Sequence, residues 1–205
     1  ADPADQRKLL DLADLDARIH RDEKVIGNPP QAERVRALIA QRGTLSQELG
    51  SRANARDDIT AELKRLESDV AVVDARIARD TERLAASSNA KQAQGFENEL
   101  VSLRRRKDDL EDTEIALMER LEAADAAVAE QEALIADTNA QGAQLSAEAK
   151  TTVADATTRL EGARRDRDAV AASIPADLLA LYERLASRGN GAGLLQAGAC
   201  EACRM

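Results

Sequence analysis

Between residues 31 and 86 a single heptad frame runs without a stutter. One series reads Leu38, Leu45, Arg52, Ile59, Leu66, Val73 and Asp80. The other reads Val35, Arg42, Leu49, Arg56, Leu63, Val70, Ile77 and Leu84. A 3.5-residue apolar repeat winds a helix into a left-handed supercoil and leaves a narrow stripe that must meet another helix. Arg42, Arg52, Arg56 and Asp80 break the stripe. Long arginine stems cover apolar surface while their heads reach water, a reading preferred here to a buried functional charge.

The rest of the chain must supply a partner for this stripe. Residues 87–95 lose the periodicity and concentrate Ser, Asn and Gly, which predicts a turn. A helix over about 90–172 follows, with Phe96, Leu100, Leu103, Leu110, Leu117, Leu121, Val128 and Ile135 as its seam. Lys107 and Glu114 interrupt that seam. From about residue 123 it is expected to turn Ala-rich through Ala123, Ala124, Ala126, Ala127, Ala129, Ala133 and Ala136. After Leu145 the frame shifts to Val153 and Leu160. A first helix over 4–26 carries Leu9, Leu12, Leu15, Ile19 and Ile26, and Gly27-Asn28-Pro29-Pro30 breaks it.

At 1.5 Å per residue the two long helices measure about 84 and about 125 Å. Folding back at 87–95 pairs 31–86 with about 96–150 and leaves about 22 residues of the longer helix for the first one. The expected fold is all-α. It is a long antiparallel coiled-coil hairpin with a short N-terminal helix at its base and a truncated C-terminal zinc ribbon. A parallel coiled coil between two chains, a homodimer, is the alternative. The expected division is a hairpin over 1–173, kinked near 27–30, and a C-terminal part over 174–205. In that part Ile174-Pro175-Ala176-Asp177 opens a helix with Leu178, Leu179, Tyr182 and Leu185 on one face. Ser187 to Gly193 ends it, and Leu194 to Gly198 reads as a short strand.

Composition agrees with a thin core. Aromatics make up 1% of the chain, Phe96 and Tyr182 alone, while 33% is charged. A net charge of −9 argues against a broad nucleic-acid footprint but leaves room for a local basic patch. No run of about 18 apolar residues exists, so no membrane helix is expected. Ala1 to Asp5 does not read as a signal peptide. Two closely spaced cysteines and no others point to a reducing, cytoplasmic setting.

Chemistry concentrates at Cys200-Glu201-Ala202-Cys203. Two intervening residues let both thiolates reach one metal, and a structural zinc takes four Cys or His ligands. A redox dithiol or an incidental pair are the other readings; the redox motif belongs in an α/β setting, which this pattern lacks. Arg104-Arg105-Arg106-Lys107 is the strongest basic run and a candidate contact for phosphate or an acidic partner. Against this, Asp108, Asp109 and Glu111 stand four residues after Arg104, Arg105 and Lys107 and are placed to pair along the helix. Arg164-Arg165-Asp166-Arg167 takes the same discount. His20, the single histidine, reads as solvated. No nucleophile triad, carboxylate pair or phosphate-cradling glycine loop is found, so an enzyme is not expected.

Several segments taken together carry a resemblance. Phe96-Glu97-Asn98-Glu99-Leu100, Leu103 to Arg106, Leu110-Glu111-Asp112 and Leu117-Met118-Glu119 resemble the middle of the bacterial C4-type zinc-ribbon coiled-coil hairpin proteins. Ile174 to Leu179, Tyr182-Glu183-Arg184-Leu185 and Gly198 to Cys203 resemble their C-terminal part. The resemblance implies a helical hairpin carrying a small zinc ribbon, with Cys200 and Cys203 as the first pair of ligands. It places the second pair roughly 20 or more residues further on. Zinc is therefore expected in a full-length protein and not in these 205 residues. Relatives in flagellated bacteria are tied to flagellar gene regulation through an alternative sigma factor or RNA. The expected function is a non-enzymatic interaction scaffold with a protein partner. The alternative is a regulator that binds RNA, DNA or a sigma factor.

Overall fold

A computed structural model describes residues 2–189, 191–196 and 199–200. The helices are α1 (Pro3–Gly27), α2 (Ala32–Ala86), α3 (Ala90–Ala172) and α4 (Ala176–Ala186). A two-residue antiparallel pair follows, β1 (Leu195–Gln196) with β2 (Ala199–Cys200), in which Leu195 faces Cys200 across the ladder. The helix limits fall within a residue or two of those read from the periodicity. Two compact units result, one of Ile39–Ala140 and one of Ala1–Leu38 with Gln141–Met205.

The unit Ile39–Ala140 is an antiparallel helical hairpin. Its turn is only Ser87-Ser88-Asn89, shorter than the expected 87–95. Asn89 accounts for the difference. Its Oδ1 accepts from the Lys91 N–H at 2.9 Å and its carbonyl from the Ala93 N–H at 2.9 Å, so α3 is capped and begins at Ala90. Leu66, Val73, Leu100, Leu103, Leu117 and Val128 are buried in the seam. Pairs cross it with falling residue number: Lys107 Nζ to Asp74 at 2.6 Å, Arg120 to Glu62 at 3.7 Å, Arg52 to Glu130 at 3.6 Å. This is the intramolecular hairpin that the heptads predict. Facing helices in such a seam lie about 8–10 Å apart. Spin labels at Ser46 and Ala136, both exposed, should therefore report a short distance within one chain. A short distance seen only between chains would contradict the topology.

Two expectations about the seam are corrected. Arg42 is exposed rather than seated in it, whereas Arg52 and Arg56 lie half-buried along it. Arg52 Nη1 donates to the Ala127 carbonyl at 3.0 Å, so its head ends on backbone across the seam. The alanine stripe is also narrower than its composition suggests. Ala124 and Ala127 are half-buried, but Ala123, Ala126, Ala129, Ala133 and Ala136 face solvent. The reason is that the 3-4 spacing continues unbroken from Leu117 and Leu121 through 124, 128, 131, 135 and 138.

That continuation puts Gln131, fully buried, and Thr138 into the seam. Gln131 Nε2 donates to the Leu45 carbonyl at 2.9 Å and to Glu48 at 3.0 Å. Its Oε1 is buried with no partner. An unsatisfied buried acceptor carries most of its desolvation penalty. Gln131→Leu is therefore expected to stabilise the chain by about 1 kcal/mol, read as a raised melting temperature. A lowered one would show that the two donated bonds outweigh the orphaned oxygen.

In the other unit α1 lies antiparallel to the end of α3. Asp2 caps α1 through the Ala4 N–H at 2.9 Å, and Pro3 takes a position where its missing N–H costs nothing. Arg159 grips the nearly buried Asp22 through Nε at 3.1 Å and Nη2 at 2.9 Å. Gln31 Nε2 donates to Thr152 Oγ1 at 3.1 Å, and Lys8 Nζ to the Ser173 carbonyl at 2.9 Å. Inward-facing residues run Leu145, Ala149, Val153, Ala156, Leu160, Ala163. Two steps of four in succession make this a stutter, the expected frame shift, which locally unwinds the supercoil.

Candidate functional site

The C-terminal segment is held to α1 by one aromatic side chain. α4 buries Tyr182, 1% exposed, against Leu12 and Ile174, with Leu9, Val170 and Leu179 around them. The Tyr182 hydroxyl donates to Asp16 Oδ2 at 2.8 Å, and Arg167 Nε donates to Asp16 Oδ1 at 2.6 Å. One carboxylate thus joins α1, α3 and α4. Burial, then the bond to Asp16, pushes the Tyr182 hydroxyl well above the usual phenol range. The bond to Asp16 likewise raises Arg167 and keeps it cationic. The chain then passes over the ring at Gly191, where a Cβ would stand 2.5 Å from Tyr182 Cε2. Only glycine fits there, because any side chain would enter the ring.

Beyond this contact the segment carries apolar side chains outward. Leu185, expected on the buried face of α4, is exposed together with Leu181. Leu194 is exposed, and Leu195 of β1 is 72% exposed. α4 therefore presents apolar surface on two sides. The apolar run Leu178-Leu179-Ala180-Leu181 is the signal that shows this, since one face of a single helix cannot bury all of it.

Cys200 ends β2 and is half-buried. Cys203 lies outside the described residues. Among the described residues no three metal-ligating side chains converge. Of the C-x-x-C pair, the described residues place Cys200 alone, at the end of the two-stranded ladder.

The basic run lies on α3 in the other unit. Lys107 is half-buried and bonds Asp74 at 2.6 Å, with Glu111 at 3.5 Å, and the Asp74 bond raises its pKa. Arg104, Arg105 and Arg106 are exposed, and no ion pair to a described residue engages them. The pairing expected along the helix thus forms only at Lys107. Arg104 and Arg105 extend into water, whereas Lys107 turns to Asp74 of α2. In the unit of α1, Arg164 bonds Glu23 at 2.8 Å and Arg167 bonds Asp16, so these two members of the second basic run are absorbed by α1 while Arg165 is exposed. His20 is exposed, with its Nδ1 3.9 Å from Glu23. The Asp16–Arg167–Tyr182 and Asp22–Arg159 networks escape a reading of periodicity, since a carboxylate in an apolar row has no signal until its partner is placed.

Two long helices paired in antiparallel by a heptad seam define the class: a coiled-coil hairpin protein. Residues 12–190 match the CT398-like coiled coil hairpin domain, and the chain belongs to that family. It is 34% identical over 208 residues to the Mycobacterium tuberculosis H37Rv protein Rv2229c, covering 98% of this chain and 83% of the relative. A solved structure from Mycobacterium smegmatis is 30% identical, with a TM-score of 0.79, over 100% of this chain and 86% of that one. CT398 from Chlamydia trachomatis has a TM-score of 0.62 at 13% identity, over 98% and 86% of the two chains, and shares the fold. No helix among the described residues is long and apolar enough to cross a membrane.

Proposed function

We propose that this protein is a non-enzymatic interaction scaffold of the cytoplasm, in which the coiled-coil hairpin is a spacer and the C-terminal segment docks a protein partner. The observation that supports the reading is the exposed Leu181, Leu185, Leu194 and Leu195, placed just before Cys200. Exposed apolar side chains gathered in one short segment mark interaction surface more often than chance does. In this reading Cys200 and Cys203 are half of a zinc ribbon, completed by ligands further along a longer protein. Bound zinc would fix the chain around the two thiolates and hold the docking segment in one shape.

The test uses the longer protein and its variants in affinity capture from native lysate, with metal analysis alongside. Cys200→Ser with Cys203→Ser should remove zinc and the captured partner while leaving helicity unchanged. Leu181→Asp with Leu185→Asp should remove the partner and leave zinc. One tightly held zinc per chain in the 205-residue protein would overturn the half-site. A second reading, an RNA- or DNA-binding regulator, is favoured by the three exposed arginines without acidic partners at 104–106. Capture that survives both C-terminal variants, yet falls on changing Arg104, Arg105 and Arg106 to Glu, would replace the first reading with the second. In that case log affinity for nucleic acid should fall linearly with log salt.

A further inference from the structure

Val72 lies on α2 outside the two heptad series. It is 67% exposed, while the aliphatic residues of the two heptad series turn toward the seam. It lines a groove of about 350 Å³ with Asp69, Arg76 and Arg106, over the buried Val73 and Leu103. Arg65 and Arg79 stand seven residues before and after Val72, both exposed. Seven residues are two turns, so both arginines share its face, about 10 Å to either side. Arg106 comes from α3 and makes no ion pair with a described residue; Arg76 is held by Glu99 and Asp80. Asp69 is the acidic residue in the lining. The result is an apolar centre rimmed by arginine, on a chain whose net charge is −9.

We propose that this groove docks an acidic amphipathic helix of a partner protein, with an apolar side chain against Val72 and carboxylates on Arg65, Arg79 and Arg106. Charge complementarity selects the sign of the partner. The arginine spacing selects its form, because acidic residues seven positions to either side of an apolar anchor repeat the same 10 Å interval on a helix. Arginine also suits carboxylates through its bidentate fork. A single-stranded nucleic acid is the poorer fit, since Val72 gives no aromatic face for a base to stack on. The proposal stands independently of the C-terminal knuckle.

The experiment measures fluorescence anisotropy of three labelled probes on the 205-residue chain. They are a Glu/Ala/Leu amphipathic helix of roughly 20 residues, its Lys-for-Glu counterpart, and a single-stranded RNA of about 20 nucleotides. The acidic helix should bind at least about tenfold tighter than the other two. Val72→Asp and Arg106→Glu should each weaken it by about fivefold or more, and the charge-matched control Arg7→Glu by less than about twofold. All three positions are exposed, so circular dichroism should be unchanged. The proposal is overturned by tighter binding of the RNA, by equal binding of the basic peptide, by no saturable binding of the acidic helix, or by an equal effect of Arg7→Glu.

Discussion

Leu66→Asp is expected to abolish cooperative melting of the hairpin or lower its midpoint by tens of degrees. Leu66 is 9% exposed, in the middle of the seam between α2 and α3. Truncating a buried leucine costs about 2–5 kcal/mol, and an ionised carboxylate adds the cost of leaving water, so the total exceeds about 4 kcal/mol. That is a large part of the whole stability of a small protein. Long helices of mixed composition are held by packing of one face more than by propensity, so helicity should fall with the seam. The control is Ser68→Asp, two residues on and exposed, which should stay within about 0.5 kcal/mol of wild type. Circular dichroism and thermal melts decide the matter. Equal effects at the two positions would show that the seam does not run through Leu66.

Tyr182→Ala should release α4 from α1. An aromatic truncated in a core costs about 3–5 kcal/mol, and here the polar tip is lost as well. Amide exchange across α4 should accelerate strongly, and Leu9–Ala13 should follow. Tyr182→Phe keeps the ring and loses only the bond to Asp16, which Arg167 still engages, so about 1–2 kcal/mol is expected. The pH profile separates packing from hydrogen bonding. Because the folded hydroxyl is raised above the usual value, the unfolded chain gives up this proton first. The contribution is therefore complete below about pH 10 and lost as pH rises above it. Wild type should lose stability there relative to the Phe variant. Parallel profiles would show that the hydroxyl does not titrate differently on folding.

The placement of the residues explains what was legible. Period and punctuation are local properties. The heptads before Ala86, Asn89 with its neighbours and the Pro29-Pro30 break sufficed to place α1, α2 and α3 and to predict their antiparallel pairing. The knuckle at Cys200 and Cys203 was legible only as a motif, since its metal reading depends on donors that these residues do not contain. The basic run was legible as charge, but which of its members are engaged was not. Lys107 turns to Asp74 of α2, whereas Arg104 and Arg105 stay in water and Arg106 borders α2 without an ion pair to a described residue, a difference set by the angle of each position around α3.

The sequence by itself determined the period of the helices, their ends and the seam that pairs them, because these follow from spacing within one segment. Tertiary structure decided which polar groups entered the core and which apolar ones stayed out. Asp16 joins Arg167 and Tyr182 across more than 150 residues of chain, and Gln131 reaches the Leu45 carbonyl across 86. Such contacts depend on which faces meet after the chain has folded back. The same holds for Leu185, an ordinary aliphatic residue on the expected apolar face of α4 that the packing of that helix leaves facing solvent.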